Sequence, residues 1–267
     1  MFHLKDRSIL EISGSNRKSF LQGLVSNDVN KTSSSNLIYA VMLNATGRFL
    51  YDFFIFENGE KLFLDCFAAR RDEILKKLNF YKLRADVALK KNDELLVAQS
   101  FAKHGFRDPR SEELGYRIYG TASELAAIEG DLISEDSYNF NRIQNKIPES
   151  ENDLTYEKSL ILEFNFDNLN AISYEKGCYI GQELTARTHY KGEIRKKLFH
   201  VKISGDSKLE KGSEISCEGK SVGIILSSIT HQNELHALAL VRLPDNSGSK
   251  NLPDKLEFEN RKISIIS

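Results

Sequence analysis

Tyr174-Glu175-Lys176-Gly177-Cys178-Tyr179-Ile180-Gly181-Gln182-Glu183-Leu184-Thr185-Ala186-Arg187 is the stretch on which the reading of the chain turns. Gly177 and Gly181 bracket a cysteine and two β-prone residues, and the pattern after Gly181 predicts a helix over Gln182 to Arg187. Glycines at this spacing let the backbone turn sharply and approach a ligand. A cysteine in the turn entering a helix lies near free amide groups, and Lys176 adds a positive charge. Both favour the thiolate, which is the nucleophilic and metal-binding form. Cys178 is therefore the candidate functional thiol, with Lys176, Gly177, Tyr179, Gly181, Gln182 and Glu183 as its motif. The other reading of the same pattern is a buried cysteine beside a packed turn.

Downstream, the pattern changes to short alternating segments: Lys197 to Ile203, Ser213 to Cys217, Ser221 to Ser227, Ala237 to Leu243, Lys255 to Phe258 and Lys262 to Ile266. Gly, Asn and Pro separate them, an all-β signature of a small barrel or sandwich. A domain boundary is expected near Tyr190 to Gly192, dividing a mixed α+β region, 1–190, from a β region, 191–267. Upstream, helical spacing is read at Arg17 to Val25, Ala69 to Phe80, Ala122 to Ile128 and Ser137 to Lys146. Strands are expected at Ser8 to Ile12, Leu37 to Leu43, Phe49 to Phe56, Lys61 to Cys66, Asp86 to Lys90, Glu94 to Ser100 and Leu114 to Tyr119. Asn58-Gly59 marks a tight turn. The polar stretches His104 to Glu113 and Glu149 to Lys158 read as loops.

The composition sets outer bounds. The 267 residues are 40% hydrophobic and 28% charged, with a formal net charge of -1. That balance describes a folded chain without a global pull toward nucleic acid or membrane. No apolar run is long enough to cross a bilayer. The start lacks the pattern of a secretory or transit segment. Cys66, Cys178 and Cys217 form no CxxC pair. Such sparse cysteines fit a reducing compartment, and they argue against a zinc or all-cysteine cluster site carried by this chain alone. A monomer in the cytoplasm or an organelle matrix is expected, with no metal ligands, no DNA partner and no direct tRNA binding.

Two acids stand in apolar surroundings. Asp52 interrupts Phe49 to Phe56, and Glu163 interrupts Leu160 to Phe164. An unpaired buried carboxylate is costly. Each acid either points to solvent or faces a cavity, where it would accept from an amine or a ring N–H. Lys191, Arg195, Lys196 and Lys197 form a basic cluster that is either a solvated strand end or a site for a polyanion such as a polyglutamate tail or tRNA. His189 is the histidine nearest the cysteine motif.

The octapeptide Lys176 to Glu183 resembles the signature of the YgfZ-type folate-binding proteins. Its continuation, Leu184 to Tyr190 and Arg195 to Leu198, is similar to the mitochondrial iron–sulfur assembly branch of that family and its bacterial relatives. Phe20 to Val29, Leu43 to Asp52, Tyr81 to Val87 and Leu114 to Arg117 resemble further segments of the family, in order.

The resemblance implies an α+β fold related to the T-protein, the aminomethyltransferase of the glycine cleavage system. That fold has two α+β lobes and a C-terminal all-β barrel around a central folate channel. It implies a tetrahydrofolate-binding accessory protein that matures or maintains iron–sulfur enzymes, including tRNA-modifying ones, with folate and iron–sulfur assembly or client proteins as partners. Cys178 is then the key thiol. Asp52 and Glu163 fall where T-protein-like folds set acids against the pterin, and Asn27 and Tyr116 lie in segments bordering the channel. The compartment implied is the bacterial cytoplasm, or the mitochondrial matrix in a eukaryote. The alternative is a tetrahydrofolate-dependent aminomethyl transferase. Against it, Tyr51 precedes Asp52 where T-proteins carry a second acid, and Cys178 follows the glycine where they carry an acid.

Overall fold

The computed structural model describes residues 1–128, 133–192, 194–205, 209–243, 256–259 and 261–266. Packing divides the chain into two compact units: Met1–Ser134 with Asp167–Gln182, and Glu135–Phe166 with Glu183–Ser267.

The first unit contains β1 (Phe2–His3), β2 (Arg7–Ser13), β3 (Ile38–Leu43), β4 (Phe49–Asn58), β5 (Lys61–Phe67), β6 (Ala88–Asn92), β7 (Leu96–Ser100), β8 (Phe106–Arg107) and β9 (Tyr116–Gly120). They form a five-stranded sheet of order β3-β4-β5-β2-β6 and a four-stranded sheet of order β1-β7-β9-β8. Every residue of β3 and the first eight of β4 are buried, so both faces of the hairpin are covered. This explains a nearly continuous apolar run in place of strict alternation. Helix α1 (Arg17–Gln22) stops at Gly23 rather than running on to Val25, which instead bridges to Met42. Helix α2 (Arg71–Lys82) buries Ile74 and Leu78, one turn apart, and carries Asp72 and Glu73 at its positive end. The short α3 (Ala122–Ala126) is closed by a capping box of Thr121 and Glu124.

In the second unit, α4 (Glu135–Gln144) and α5 (Ser150–Asp153) precede a barrel, and α6 (Gln182–Lys191) leads into it. Its strands are β10 (Lys196–Ile203), β11 (Glu214–Cys217), β12 (Lys220–His231), β13 (Glu234–Arg242), β14 (Leu256–Phe258) and β15 (Arg261–Ile266). The order β10-β13-β12-β11-β14-β15 closes when β15 pairs with β10. Closure leaves no open sheet edge. Alternation along β13 sends Ala237, Ala239 and Val241 into the core with Val201, Ile215 and Ile225.

The six expected C-terminal segments are all strands, although Lys255 lies outside the described residues. β12 and β13 are longer than their apolar patterns. A register shift between Ile225 and Ser228 breaks the alternation of β12 that sequence reading depends on. The segment read as a loop over Glu149 to Lys158 contains α5, and that over His104 to Glu113 contains β8. The two-residue β1, which pairs with β7, is too short to leave a period.

Candidate functional site

The cysteine motif is bound tightly to the turn that follows α1. Ser173 N donates to Ser26 O at 3.0 Å, and Ile180 N donates to Gly23 O at 3.2 Å. Ser26 Oγ donates to Ala171 O at 2.6 Å. Lys176 supplies the central fastening. Its Nζ donates to the carbonyl oxygens of Gln22, Val25 and Asn27 at 2.7, 2.6 and 2.8 Å. An ammonium has three hydrogens, and three carbonyls take them. Burial pushes this ammonium down to about 8, with the Asp28 carboxylate opposing the shift.

At the far end of the motif Gly181 has φ +83°, and a Cβ there would lie 2.5 Å from Asn44 O and 2.8 Å from Leu43 Cβ. The motif therefore rests directly on the β3–β4 turn. Asn44 shapes that turn by accepting from Thr46 N and Arg48 N at 3.0 and 2.9 Å. Gln182 Oε1 accepts from Tyr179 N at 3.3 Å and closes the turn locally.

Between these two anchors Gly177 and Cys178 are exposed. The reading of Cys178 as a buried packing residue does not hold. α6 begins at Gln182, four residues beyond the cysteine, and the Lys176 ammonium is bound to the carbonyls of the α1 turn. The other two cysteines are less accessible: Cys66 is buried, with its thiol pushed up to about 12 by that burial, and Cys217 is half-buried.

Asp52 is neither solvent-facing nor alone. It is 4% exposed, lies 3.4 Å from Arg7 Nη1 and accepts from Tyr39 Oη at 3.2 Å. It is one corner of a buried ionic network. Arg7 Nε and Arg117 Nε donate to opposite oxygens of Asp65, both at 2.7 Å. Arg110 clamps Asp108 with two bonds of 3.1 and 2.9 Å. All three guanidiniums approach the Phe54 ring, with centroid distances of 3.7 Å for Arg117, 4.8 Å for Arg110 and 5.4 Å for Arg7. Three acids balance three arginines, which satisfies the requirement that buried charges be paired. The arginines hold Asp65 below the usual carboxylate range against the effect of its burial. Tyr51, the residue preceding Asp52, donates to Glu73 Oε1 at 2.6 Å.

Asn27 lines a cavity of about 500 Å³ in the first unit, together with Tyr39, Arg107, Asp108, Asn170 and others. Its amide is engaged in holding the wall: Nδ2 donates to Tyr39 O and Asn170 O, both at 2.8 Å, and Oδ1 accepts from Asp28 N at 2.8 Å. Tyr116, half-buried on β9 opposite Arg107 and Ser100, does not line that cavity.

Glu163 belongs to the second unit, on a 3₁₀ turn over Ile161–Phe164. It lines a cavity of about 440 Å³ whose other polar groups include Lys158, Lys196, Lys211, Thr155 and Ser159. Lys196 is thus the member of the basic cluster that reaches this cavity, while Lys191, Arg195 and Lys197 are exposed. Asp153, a residue that sequence reading passed over inside an expected loop, also lines it. Asp153 accepts from Arg142 Nη1 at 3.1 Å, from Glu149 N at 2.8 Å and from Ser227 Oγ. Among the described residues no group of three or more His, Cys, Asp or Glu side chains is placed to hold a metal ion.

No family model matches the chain. It is 33% identical over 215 residues to the iron–sulfur cluster assembly factor IBA57 homolog, mitochondrial, of Pyricularia oryzae, a match covering 73% of this chain and 55% of the relative. It is 33% identical over 237 residues to the mitochondrial IBA57 of Mus musculus and 32% over 234 residues to that of Homo sapiens. Each of these covers 76% of this chain and 66% of the relative. The matches thus span between about half and two thirds of the length of these curated relatives. Among solved structures, the glycine cleavage system aminomethyltransferase T from Bartonella henselae superposes with a TM-score of 0.76 at 12% identity, over 100% of this chain and 84% of the other. The fold is the T-protein fold expected from the sequence, and the chain belongs to the family of the iron–sulfur cluster assembly factor IBA57.

Proposed function

We propose that the chain is a tetrahydrofolate-binding accessory protein for the maturation or maintenance of iron–sulfur enzymes, and that Cys178 is its working thiol. The observation that carries this reading is the mounting of Cys178. It is the exposed cysteine of the three, and it sits at the tip of a turn bolted at one end by Lys176 and seated at the other by Gly181. A thiol held in this way meets an outside partner rather than filling a core. Such a partner would be an assembly or client protein of the kind the relatives' name implies. For a eukaryotic source the compartment would be the mitochondrial matrix.

The folate part of the proposal rests on the cavity that Glu163 lines. The 2-amino and ring N–H groups of a pterin need an acceptor, and the glutamate tail needs cations. Glu163 offers the first, and Lys158, Lys196 and Lys211 offer the second. When bound, the folate would supply one-carbon carriage, while the chain's own residues bind and orient it. Asn27, Asp52 and Tyr116 belong to the first unit, and a part for them in folate binding is proposed separately from the Glu163 cavity.

The aminomethyl-transfer alternative requires a carboxylate free to partner the reacting amine. Asp52 is already engaged by Arg7 and Tyr39, which weighs against that reading.

Two assays test the proposal. Anaerobic calorimetric titration with tetrahydrofolate should show one saturable site that Glu163→Gln weakens more than Cys178→Ala does. In a complemented strain, Cys178→Ala should leave the protein folded and lower the activity of a cluster-dependent tRNA thiolation enzyme. Undiminished enzyme activity would remove Cys178 from the mechanism, and the reverse ranking of affinities would remove Glu163 from the site.

A further inference from the structure

The end of α2 displays two large apolar side chains to solvent. Phe80 is 76% exposed and Leu83 is 88% exposed, three residues apart at the helix terminus. Leu83 has φ +45° and ψ −111°, a backbone conformation open to glycine and strained for a branched side chain. The segment is also held firmly. Asp86 Oδ2 accepts from Ser15 N and Oγ at 3.1 and 2.7 Å. Asp86 N donates to Asn16 Oδ1 at 2.9 Å, and Asn16 N donates to Asp86 O at 3.1 Å. Gly14 lies so close beneath that a Cβ there would be 2.3 Å from Asp86 O. Strain, exposure and a rigid mount coincide at a residue that buries almost nothing.

The surrounding charge is mainly positive, with Asp86, which interacts with Lys82, the one acid within three residues of Leu83 in sequence. Residues 74–85 carry Lys76, Lys77, Lys82 and Arg84 and no acid, in a chain of net charge -1. None of the four makes an ion pair among the described residues. The acids flanking the helix have partners: Asp72 pairs with Lys91, Glu73 with Arg70 and Tyr51, and Asp86 accepts from Ser15 and interacts with Lys82.

We infer that the Phe80–Leu83 knuckle is a docking surface for another protein, one that presents an apolar socket rimmed by carboxylates. Two other classes of partner fit the geometry less well. A nucleic-acid base would stack on Phe80, but it gains nothing from Leu83, the more exposed of the two and the strained one. A lipid surface accepts apolar side chains in any arrangement and needs no backbone locked at positive φ. A fixed apolar knob flanked along the chain by four cations has the form of an anchor that fits a preformed pocket, with opposite charge guiding approach. This inference stands apart from the folate reading and does not depend on Cys178.

Leu83→Gly provides the sharpest test, because glycine accepts the backbone angle while the knob is removed. The variant should melt no lower than the parent. A photo-crosslinking residue in place of Phe80 in the full chain should give a discrete protein adduct in cells, and Leu83→Gly should abolish it. Once identified by mass spectrometry and purified, that protein should bind the parent chain. Its dissociation constant should rise roughly tenfold or more with Leu83→Gly, and also with Lys82→Glu and Arg84→Glu together. Added salt should weaken the parent complex. The inference is overturned if no discrete adduct forms or if the purified partner binds Leu83→Gly as tightly as the parent. It is also overturned if flotation with phosphatidylglycerol vesicles, or binding of a single-stranded RNA of about 20 nucleotides, is what Leu83→Gly removes.

Discussion

Replacing Lys176 by methionine would separate the structural work of the cysteine motif from its chemistry. Methionine keeps an unbranched stem of similar length and removes Nζ, so the carbonyls of Gln22, Val25 and Asn27 lose their donor. An acceptor stranded in buried surroundings costs about 1–3 kcal/mol, or roughly 3–9 kcal/mol for three. Against this, the variant no longer desolvates an ammonium. The fall from 10.5 to about 8 on burial corresponds to a relief of about 3 kcal/mol. Water also regains the carbonyl of Gln22, which is only partly buried. The balance is a destabilisation of at most about 3 kcal/mol, or a melting temperature lowered by up to roughly 12 °C for a chain of this size. Circular dichroism on heating measures the shift, and hydrogen exchange of the peptide over residues 173–182 reports whether the motif itself has loosened. Cys178→Ala, at an exposed position, should change stability by no more than about 0.5 kcal/mol. An unchanged melting temperature together with unchanged exchange in Lys176→Met would refute the assignment of Lys176 as the bolt of the turn.

Gly181→Ala combines a positive φ with a methyl 2.5 Å from Asn44 O. It should cost about 2–5 kcal/mol, with exchange rising in both the motif and the β3–β4 turn; exchange rising in only one would separate the two. Asp65→Asn removes the carboxylate charge that Arg7 and Arg117 share. Chemical denaturation should show a loss of about 3–5 kcal/mol. Because the folded state holds Asp65 below its ordinary value of 3.8, its contribution is complete above that value and lost as pH falls through the lower, folded one. An acid-unfolding profile that stays flat below pH 3.8 would contradict this. In the barrel, His200 Nε2 lies 2.9 Å from His236 Nδ1, and burial, then the neighbouring His236, push His200 down from 6.5 to about 4. Between those values the unfolded chain binds a proton that the folded one refuses, so barrel stability should fall as pH drops through that window. His200→Asn should flatten the dependence in barrel-peptide exchange, and an unaltered slope would acquit the histidine pair.

The C-terminal strands were legible because each presents one face to the barrel core, as Ala237, Ala239 and Val241 do. The first hairpin was legible for a different reason: its apolar run is continuous and the Asn44–Gly47 turn punctuates it. The motif was visible through its two glycines, and Gly181 does have the positive φ that such a glycine serves. The partners of its charged residues were not visible. Lys176 reaches carbonyls about 150 positions away, and backbone acceptors leave no mark on composition. Asp52 stood out as an anomaly in an apolar strand, but its partner Arg7 is 45 positions distant. The network uniting Arg7, Asp65 and Arg117 is likewise made by folding rather than by spacing. Asp153 was hidden because four residues of helix are too few to show a period.

The order in which the first unit receives its parts bears on how it is made in the cell. Its sheets are encoded before residue 121, yet the donor for three of its carbonyls is residue 176. A ribosome adding roughly 5–20 residues per second leaves the α1 turn without that donor for roughly 8–30 seconds after Val25 has been synthesised. Nascent chains stalled before residue 176 would therefore carry an unfastened α1 turn. Such intermediates are natural clients for chaperones, and a premature stop codon anywhere before that lysine would forfeit the bolt along with everything encoded after it.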